Sequence, residues 1–440
     1  MTRNDGYNLD ETHEPGLRSW VESANVEGTD FPLQNLPLGV FRRKGSGNDA
    51  RIGTAIGNQI LDLHAAATEG ALARVAPGVQ VALLAPTLNP LMSQGRAASL
   101  SLRRAVHGLL RADSTRTRRD PSLLLAMEEA ALLLPAQIGD YSDFYASIHH
   151  ATNVGSMFRP DEPLLPNYKW VPIGYHGRAS SIVPSGSAIR RPSGQTRDDT
   201  APAPAFGPTR ALDYECEMAA WVGRGNRPGE PIPIERAEEH LFGLGLLNDW
   251  SARDVQRWEY QPLGPFLSKS FGTTVSPWIV TLDALEPFRV SAAARAPGDP
   301  EPLAYLDTAA NRSHGGFAVD VEVYLSSAVM RRDGVAPLRL SRATLGTMYW
   351  TLAQLLTHHT SNGCDLRPGD VLGTGTISGP DKDNRGCLLE LTWRGRDPLL
   401  LPTGESRRFL EDGDEVMLRA RCEREGFVGI GFGACDGIVG

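Results

Sequence analysis

The stretch 211-ALDYECEMAAWVG-223 decides how this chain is read. Written as an extended strand, it puts successive side chains on opposite faces. Glu215 and Glu217 then share one face, and Cys216 and Met218 share the other, toward an apolar core. Two carboxylates side by side repel each other. Such a pair stands either in solvent or around a cation. Similar short apolar stretches bounded by Gly, Pro, Asn or Asp recur from Gly139 onward: 181-SIVPSG-186, 243-GLGLLNDW-250, 276-SPWIVTL-282, 319-VDVEVYLSS-327, 371-VLGTGTISG-379, 388-LLELTWRG-395 and 414-DEVMLRARC-422. The pattern is strand and turn, with one helix expected over Arg342 to His359. Long βαβ spacing is absent, which disfavours a doubly wound fold.

Upstream, 38-LGVFRRK-44, 50-ARIGTAIG-57 and 59-QILDL-63 predict short strands with tight turns and a small barrel, followed by a helical patch near Leu61 to Thr68. Apolar residues at three-to-four spacing make 88–130 look helical, with a second helix running from Ser122 to Leu133. Residues 1–30 are polar and expected to be poorly ordered at the start. A boundary is expected near Pro135.

Composition agrees with a globular chain. The 440 residues are 41% apolar and 22% charged, which disfavours disorder, collagen and coiled coil and suggests two or three domains. The 46 Gly and 32 Pro show no period and imply many turns, hence β-rich structure. With 44 Lys+Arg against 52 Asp+Glu the net charge is −8, a poor match to nucleic acid or anionic membrane. The one dense basic stretch, Arg116 to Arg119, reads as a solvated helix face. The five Cys form no CxxC and follow no apolar secretory segment, so a reducing cytoplasm is expected.

Three further stretches gather chemistry. In 243-GLGLLNDW-250 an apolar strand over Leu244 to Leu247 ends at Asp249, either a turn cap or a site residue. Beyond it, Arg253 and Gln256 stand three apart, one face of a helical turn. That face is either an ion-paired surface or a set of donors beside a carboxylate. Lys269, one of only four lysines, follows in a Gly/Ser-rich loop. In 138-IGDYSDFYASIHHATNVGSMFRP-160, Asp143, Tyr145, His150 and Arg159 share a polar stretch expected to be irregular. His150 is either a satisfied structural residue or a site residue. Asp143, Glu215, Glu217 and Asp249 together would form an all-oxygen set. Such a set selects Ca2+ or Mg2+ over zinc, with surplus charge balanced by Lys269 and Arg253. Rival motifs fail. The loop 379-GPDKDNRG-386 has Arg385 and Thr392 where a calcium loop needs ligands. No dinucleotide fingerprint, GxSxG, HExxH or P-loop is present. His358-His359 reads as a helix C-terminal feature.

The segments 140-DYSDFY-145, 149-HHATNVGSMFR-159, 174-GYHGRASSIVPSG-186, 213-DYECEMAAWVG-223, 248-NDWSARDVQRWEYQPLGPFLSKSFGTT-274 and 375-GTISG-379 together closely resemble the fumarylacetoacetase family. The likeness runs collinearly from about residue 31 to about residue 437 and includes 31-FPLQNLPLGVF-41 and 51-RIGTAIGNQILDL-63. It implies a mostly β chain with some α. An N-terminal SH3-like barrel over 31–135 would follow an extension of 1–30 and precede a larger C-terminal β-roll catalytic domain over 136–440. It implies a cytoplasmic homodimer that hydrolyses the carbon–carbon bond of fumarylacetoacetate to fumarate and acetoacetate, at the end of tyrosine and phenylalanine catabolism. The family's metal ligands fall on Asp143, Glu215, Glu217 and Asp249. Its general base falls on His150, oriented by Glu390. Its charge-stabilising donors fall on Arg253, Gln256 and Lys269, and its substrate contacts on Tyr145, Arg159, Tyr175, Gln256, Tyr260 and Thr376. A Mg2+ beside the Ca2+ is implied near Asp249, Lys269 and Thr273. An alternative is a superfamily relative acting on acylpyruvates or other diketo acids. A metal-dependent binding protein that has lost catalysis is disfavoured by the intact set His150, Glu390, Arg253, Gln256 and Lys269.

Overall fold

The computed structural model describes residues 8–45, 49–113 and 119–440. At its centre lies the strand Leu241–Asp249, every residue of which is buried. Its antiparallel neighbour Cys216–Val222 is buried throughout as well. Both faces of this pair are covered. Leu244, Leu246, Met218 and Ala220 belong to one core, and Phe242, Leu247, Ala219 and Trp221 to a second. That is why the apolar run 241–247 shows no polar alternation.

The result is a mixed α/β chain with extensive sheets. The main sheet runs in order through Leu124–Ala126, Gln59–Asp62, Arg51–Ile56, Leu38–Arg43, Trp278–Thr281, Leu241–Asp249, Cys216–Val222, Val371–Gly373, Tyr141–Phe144 and Gly174–His176. A second sheet, Leu338–Thr344, Asp320–Ser326, Glu415–Cys422, Ile430–Val439 and Ser187–Ile189, packs across it. Trp250, Val321, Leu418 and Phe432 fill the space between them. The N-terminal strands therefore continue the sheet that carries the carboxylates. The joint pairs Gly39 with Trp278. A Cβ on Gly39 would sit 2.6 Å from Trp278 Cε3, so the two strands close only on a glycine.

Several expectations are corrected. Among the described residues, strand pairing closes no barrel; the path stays open and merges into the main sheet. The helix expected over Ser122–Leu133 is a single 3-10 turn and two short strands, Leu124–Ala126 and Ala130–Leu132, split by a second turn. They pair with Gln59–Asp62 and Leu38–Arg43, and Leu125 and Ala130 pack with Phe41, Ala55 and Ile60. Sheet edges and an apolar patch outweigh the helix propensity of Leu, Ala, Met and Glu. The helix expected over Arg342–His359 spans only Leu352–Thr360, opened by a capping box of Thr351 and Gln354. Residues 338–344 before it form an edge strand. Leu388–Leu391 is a helical turn, not a strand. The stretch expected to be irregular is the strand Tyr141–Phe144 followed by the helix Ile148–Phe158, capped by Ser147.

Residues 8–30 are not loose. Val21 and Ala24 join a core, and the buried Arg103 guanidinium donates to Thr12 Oγ1 and to the Gln34 and Asn35 carbonyls. Residues 1–7, and Arg116 to Arg118 of the basic stretch, lie outside the described residues. Residues 382–384 form a turn, and His358-His359 end a helix, as expected.

His107 lies buried on the helix Arg96–Leu110. Burial, reinforced by Arg103 and Arg111, lowers it from the usual 6.5 to about 4. Between those values the unfolded chain binds more protons than the folded one. The stabilising contribution is therefore complete above pH 6.5 and lost as pH falls toward 4. Denaturant titrations should show His107→Gln flattening the stability loss between pH 7 and pH 4.5 by on the order of 2 kcal/mol. An unchanged pH slope would contradict the assignment.

Candidate active site

Four carboxylates converge where three strands meet. Asp143 comes from Tyr141–Phe144, Glu217 from Cys216–Val222, Asp249 from the end of Leu241–Asp249, and Glu215 stands just before Cys216. All four are buried, and one oxygen of each lies within 4.8 Å of the others. Parallel pairing of Tyr141–Phe144 with Val371–Gly373 brings Asp143 level with Gly373. A Cβ there would sit 2.6 Å from Asp143 Oδ1 and 3.0 Å from Glu217 Oε2, so any larger residue would push those carboxylates aside. Asp249 ends a sheet strand and does not cap a turn.

Two cations face the cluster. Lys269 Nζ donates to Glu215 Oε2 at 2.5 Å and to Asp249 Oδ2 at 2.6 Å. Arg253 Nη1 pairs with Glu215 Oε1 at 2.7 Å and donates to Gln256 Oε1 at 3.1 Å. Arg253 and Gln256 lie three apart on the helix Arg253–Glu259. Tyr175 and Thr273 hydroxyls donate to Asp249 at 2.7 and 3.1 Å. Burial opposes ionisation of Glu215, but Lys269 and Arg253 hold it well below the usual carboxylate range. Burial and Asp249 push Asp143 far up. Burial and Asp143 do the same to Glu217. Glu217 Oε1 is buried with no hydrogen-bond partner. An all-oxygen set with excess negative charge and an unpartnered oxygen fits a hard divalent cation.

Beside the cluster, His150 Nδ1 lies 2.6 Å from Glu390 Oε2. Burial alone would raise Glu390. His150 and donors from His150, Asn153 and Cys387 instead bring it down to about 2. His150 sits in the first turn of Ile148–Phe158, and His149 on the same helix is only half-buried. A cavity of about 410 Å³ joins these groups: Asp143, Glu215, His150, Arg253, Gln256 and Lys269 line it. Tyr145, Arg159, Tyr175, Tyr260 and Thr376 complete its wall. Tyr145 meets the His150 ring edge-on, with centroids 5.2 Å apart. Arg159 Nε and Thr376 Oγ1 are buried without partners. Thr273, Glu217, Asp249 and Glu390 stand behind the wall.

The Fumarylacetoacetate (FAA) hydrolase C-terminal family model matches residues 141–439, and the Fumarylacetoacetase N-terminal model matches residues 34–135. A fumarylacetoacetase of Bos taurus is 49% identical over 419 residues, covering 94% of this chain and 97% of the relative. The chain belongs to the fumarylacetoacetase family. Fumarylacetoacetases of Homo sapiens and Oryza sativa are 49% and 47% identical, covering 94% and 96% of this chain and 97% of each relative. Among solved structures, a fumarylacetoacetate hydrolase from Exiguobacterium antarcticum is 20% identical, with a TM-score of 0.49 over 92% of this chain and 99% of that chain.

Sequence reasoning missed Asn153 and Ser378. Both donate to Glu390, at 2.8 Å to Oε1 and 2.8 Å to Oε2. Asn153 had a legible signal, since it stands three residues after His150 on one helix face. Ser378 had none.

The cluster makes two substitutions diverge. Glu217→Gln relieves crowding and should leave cation-free stability equal or higher. Asp249→Asn strips Lys269 of a partner and should lower it. Both should weaken Ca2+ binding at least about tenfold, or ~1.4 kcal/mol. Calorimetry showing unchanged Ca2+ affinity in both would rule out this ligand set.

Proposed function

We propose that this fumarylacetoacetase-family chain hydrolyses the carbon–carbon bond of fumarylacetoacetate to fumarate and acetoacetate, at the end of tyrosine and phenylalanine catabolism. The observation that carries the reading is one cavity holding a His–Glu pair, a carboxylate cluster and cationic donors. Relatives named fumarylacetoacetase, matched along nearly their full length, support the substrate.

His150 is the general base. Glu390, on Nδ1, selects the tautomer that leaves Nε2 to take a proton from water. The hydroxide oxygen attacks the carbonyl that stays with the fumaryl part, and its π electrons move onto oxygen. Arg253, Gln256 and Lys269 face that developing charge. One such donor is typically worth about 2.7–4 kcal/mol of barrier. Collapse returns the pair, breaks the carbon–carbon bond and releases acetoacetate as its enolate. The proton held by His150 completes that carbon. Arg159, with Tyr145, holds a substrate carboxylate, since a guanidinium fork suits that group. Tyr175, Tyr260 and Thr376 shape the remainder of the pocket.

Asp143, Glu215, Glu217 and Asp249 would hold Ca2+. A divalent cation there supplies positive charge that makes an enolate a better leaving group. We also assign Mg2+ to the neighbourhood of Asp249, Lys269 and Thr273. Lys269 can serve it only through its backbone carbonyl, because an ammonium has no lone pair to offer a cation. Division of the chain at about Pro135 into an N-terminal part and a β-roll part, a cytoplasmic setting and a homodimer complete the reading. The dimer is supported by Leu263 and Phe266, 95% and 70% exposed on the segment at the cavity mouth. The acidic net charge disfavours nucleic acid, and no described helix is long and apolar enough to cross a membrane.

Absorbance should fall as purified protein consumes fumarylacetoacetate, stop on chelation and resume with Ca2+ or Mg2+. No turnover by folded, cation-loaded protein would overturn the substrate, and turnover of acylpyruvates alone would replace it. His150→Ala should remove most of kcat while leaving Ca2+ affinity intact. Arg159→Leu should mainly raise KM. A normal kcat in the first, or a normal KM in the second, would overturn that role.

A further inference from the structure

Asp213 is the third acid of the alternation Asp213-Tyr214-Glu215-Cys216-Glu217, and it binds no part of the carboxylate cluster. It is fully buried, on the two-residue strand Leu212–Asp213 that pairs with Ser251–Ala252. Its two oxygens take four donors. Oδ1 accepts from the backbone N–H of Tyr214 at 2.9 Å and of Leu388 at 2.8 Å. Oδ2 accepts from Leu389 N–H at 2.9 Å and from Arg253 Nε at 2.9 Å.

Those partners belong to two separate parts of the site. Leu388 and Leu389 open the helical turn Leu388–Leu391, which carries Glu390. Its own N-cap residue, Cys387, makes no side-chain cap. Asp213 supplies that cap from 175 residues away. Arg253 is the donor whose Nη1 pairs with Glu215 and whose Nη2 is buried without a partner, beside the cavity. Arg253 would otherwise have several rotatable bonds to spend. The Nε bond to Asp213 aims its outer nitrogens.

We propose that Asp213 is a positioning residue that registers the general-base pair against the charge-stabilising arginine. One rigid carboxylate touches the Glu390 turn and the Arg253 guanidinium at once. The distance between the proton acceptor and the oxyanion donors is therefore set by a single side chain. A charge balance argues the same way. Arg253 already has Glu215; a second buried carboxylate on it adds desolvation cost without being needed for neutrality. Its geometric role is what that cost obtains. The inference rests on the hydrolytic reading above.

Asp213→Asn keeps the size but offers one acceptor in place of two, and turns an amide N–H₂ toward donors. The expected result is a kcat roughly 10–100-fold lower, with KM within about threefold and Ca2+ affinity unchanged. In double-mutant cycles the loss should be less than additive with Arg253→Met and with Glu390→Gln. A plain packing defect would instead be additive in both cycles. If Asp213→Asn does not fold, Asp213→Glu carries the test. It keeps the charge on a longer arm, displaces both partners and should show the same kcat loss. Wild-type kcat in either folded variant, additivity in both cycles, or failure of both variants to fold would overturn the proposal. Wild type is assayed alongside. Its failure to turn over fumarylacetoacetate would overturn the substrate reading instead, which separates the two.

Discussion

Asp143, Glu215, Glu217 and Asp249 hold four carboxylates together away from water, and the surrounding structure answers to that constraint. Two like charges about 4 Å apart repel by roughly 4 kcal/mol at an effective dielectric near 20. A few such pairs approach the whole stability of a domain, about 5–15 kcal/mol. Lys269 and Arg253 are therefore counterweights as much as chemical groups. With all four ionised, two negative charges would stay unbalanced even with both in place. Without a cation, burial and mutual repulsion keep Asp143 and Glu217 toward their protonated forms, and Glu217 Oε1 is buried with no donor. A cluster that repels itself this strongly is relieved either by protons on Asp143 and Glu217 or by a divalent cation that completes it.

The sheet is what makes the cluster possible. The central strands are covered on both faces by apolar side chains, so their ends are rigid where the acids protrude. Glycines at Gly373 and Gly39 let backbones come close at the carboxylates and at the joint with the N-terminal strands. That joint explains why the first hundred residues are not a detached module. Their strands continue the sheet that ends in the acids, so their stability is transmitted to the site through backbone pairing. The opposite wall is built differently, from the helix of His150 and the short turn of Glu390, with donors from the half-buried Asn153 and the buried Ser378 and Cys387 on one carboxylate. A carboxylate so fully satisfied stays ionised and keeps one orientation.

Much of the site was legible in the linear chain. The two-residue spacing of Glu215 and Glu217 announced a shared strand face. The three-residue spacing of Arg253 and Gln256 announced a shared helix face. The rarity of lysine drew attention to Lys269. The oxygen-only composition of the acids pointed to a hard cation. Less legible were elements whose local preference lost to tertiary partners. The leucine- and alanine-rich segment 122–133 has helical propensity, yet two sheet edges and an apolar patch recruit it as strands. The segment 388–391 looks like an apolar strand, but Asp213 caps it into a turn. The polar stretch holding Asp143 and His150 looked irregular because its strand covers only four residues and pairs with one more than two hundred positions away.

The sequence by itself determined the types and local spacing of the candidate site groups, because strand and helix periodicities act over two to four residues. It also determined, through several collinear motifs, the family to which those groups belong. Only the tertiary structure decided which carboxylate faces which cation, that His150 meets Glu390, and that Asp213 reaches both Glu390's turn and Arg253. Those contacts join positions 20 to 240 residues apart, and their geometry follows from sheet register and core packing, neither of which is a local property.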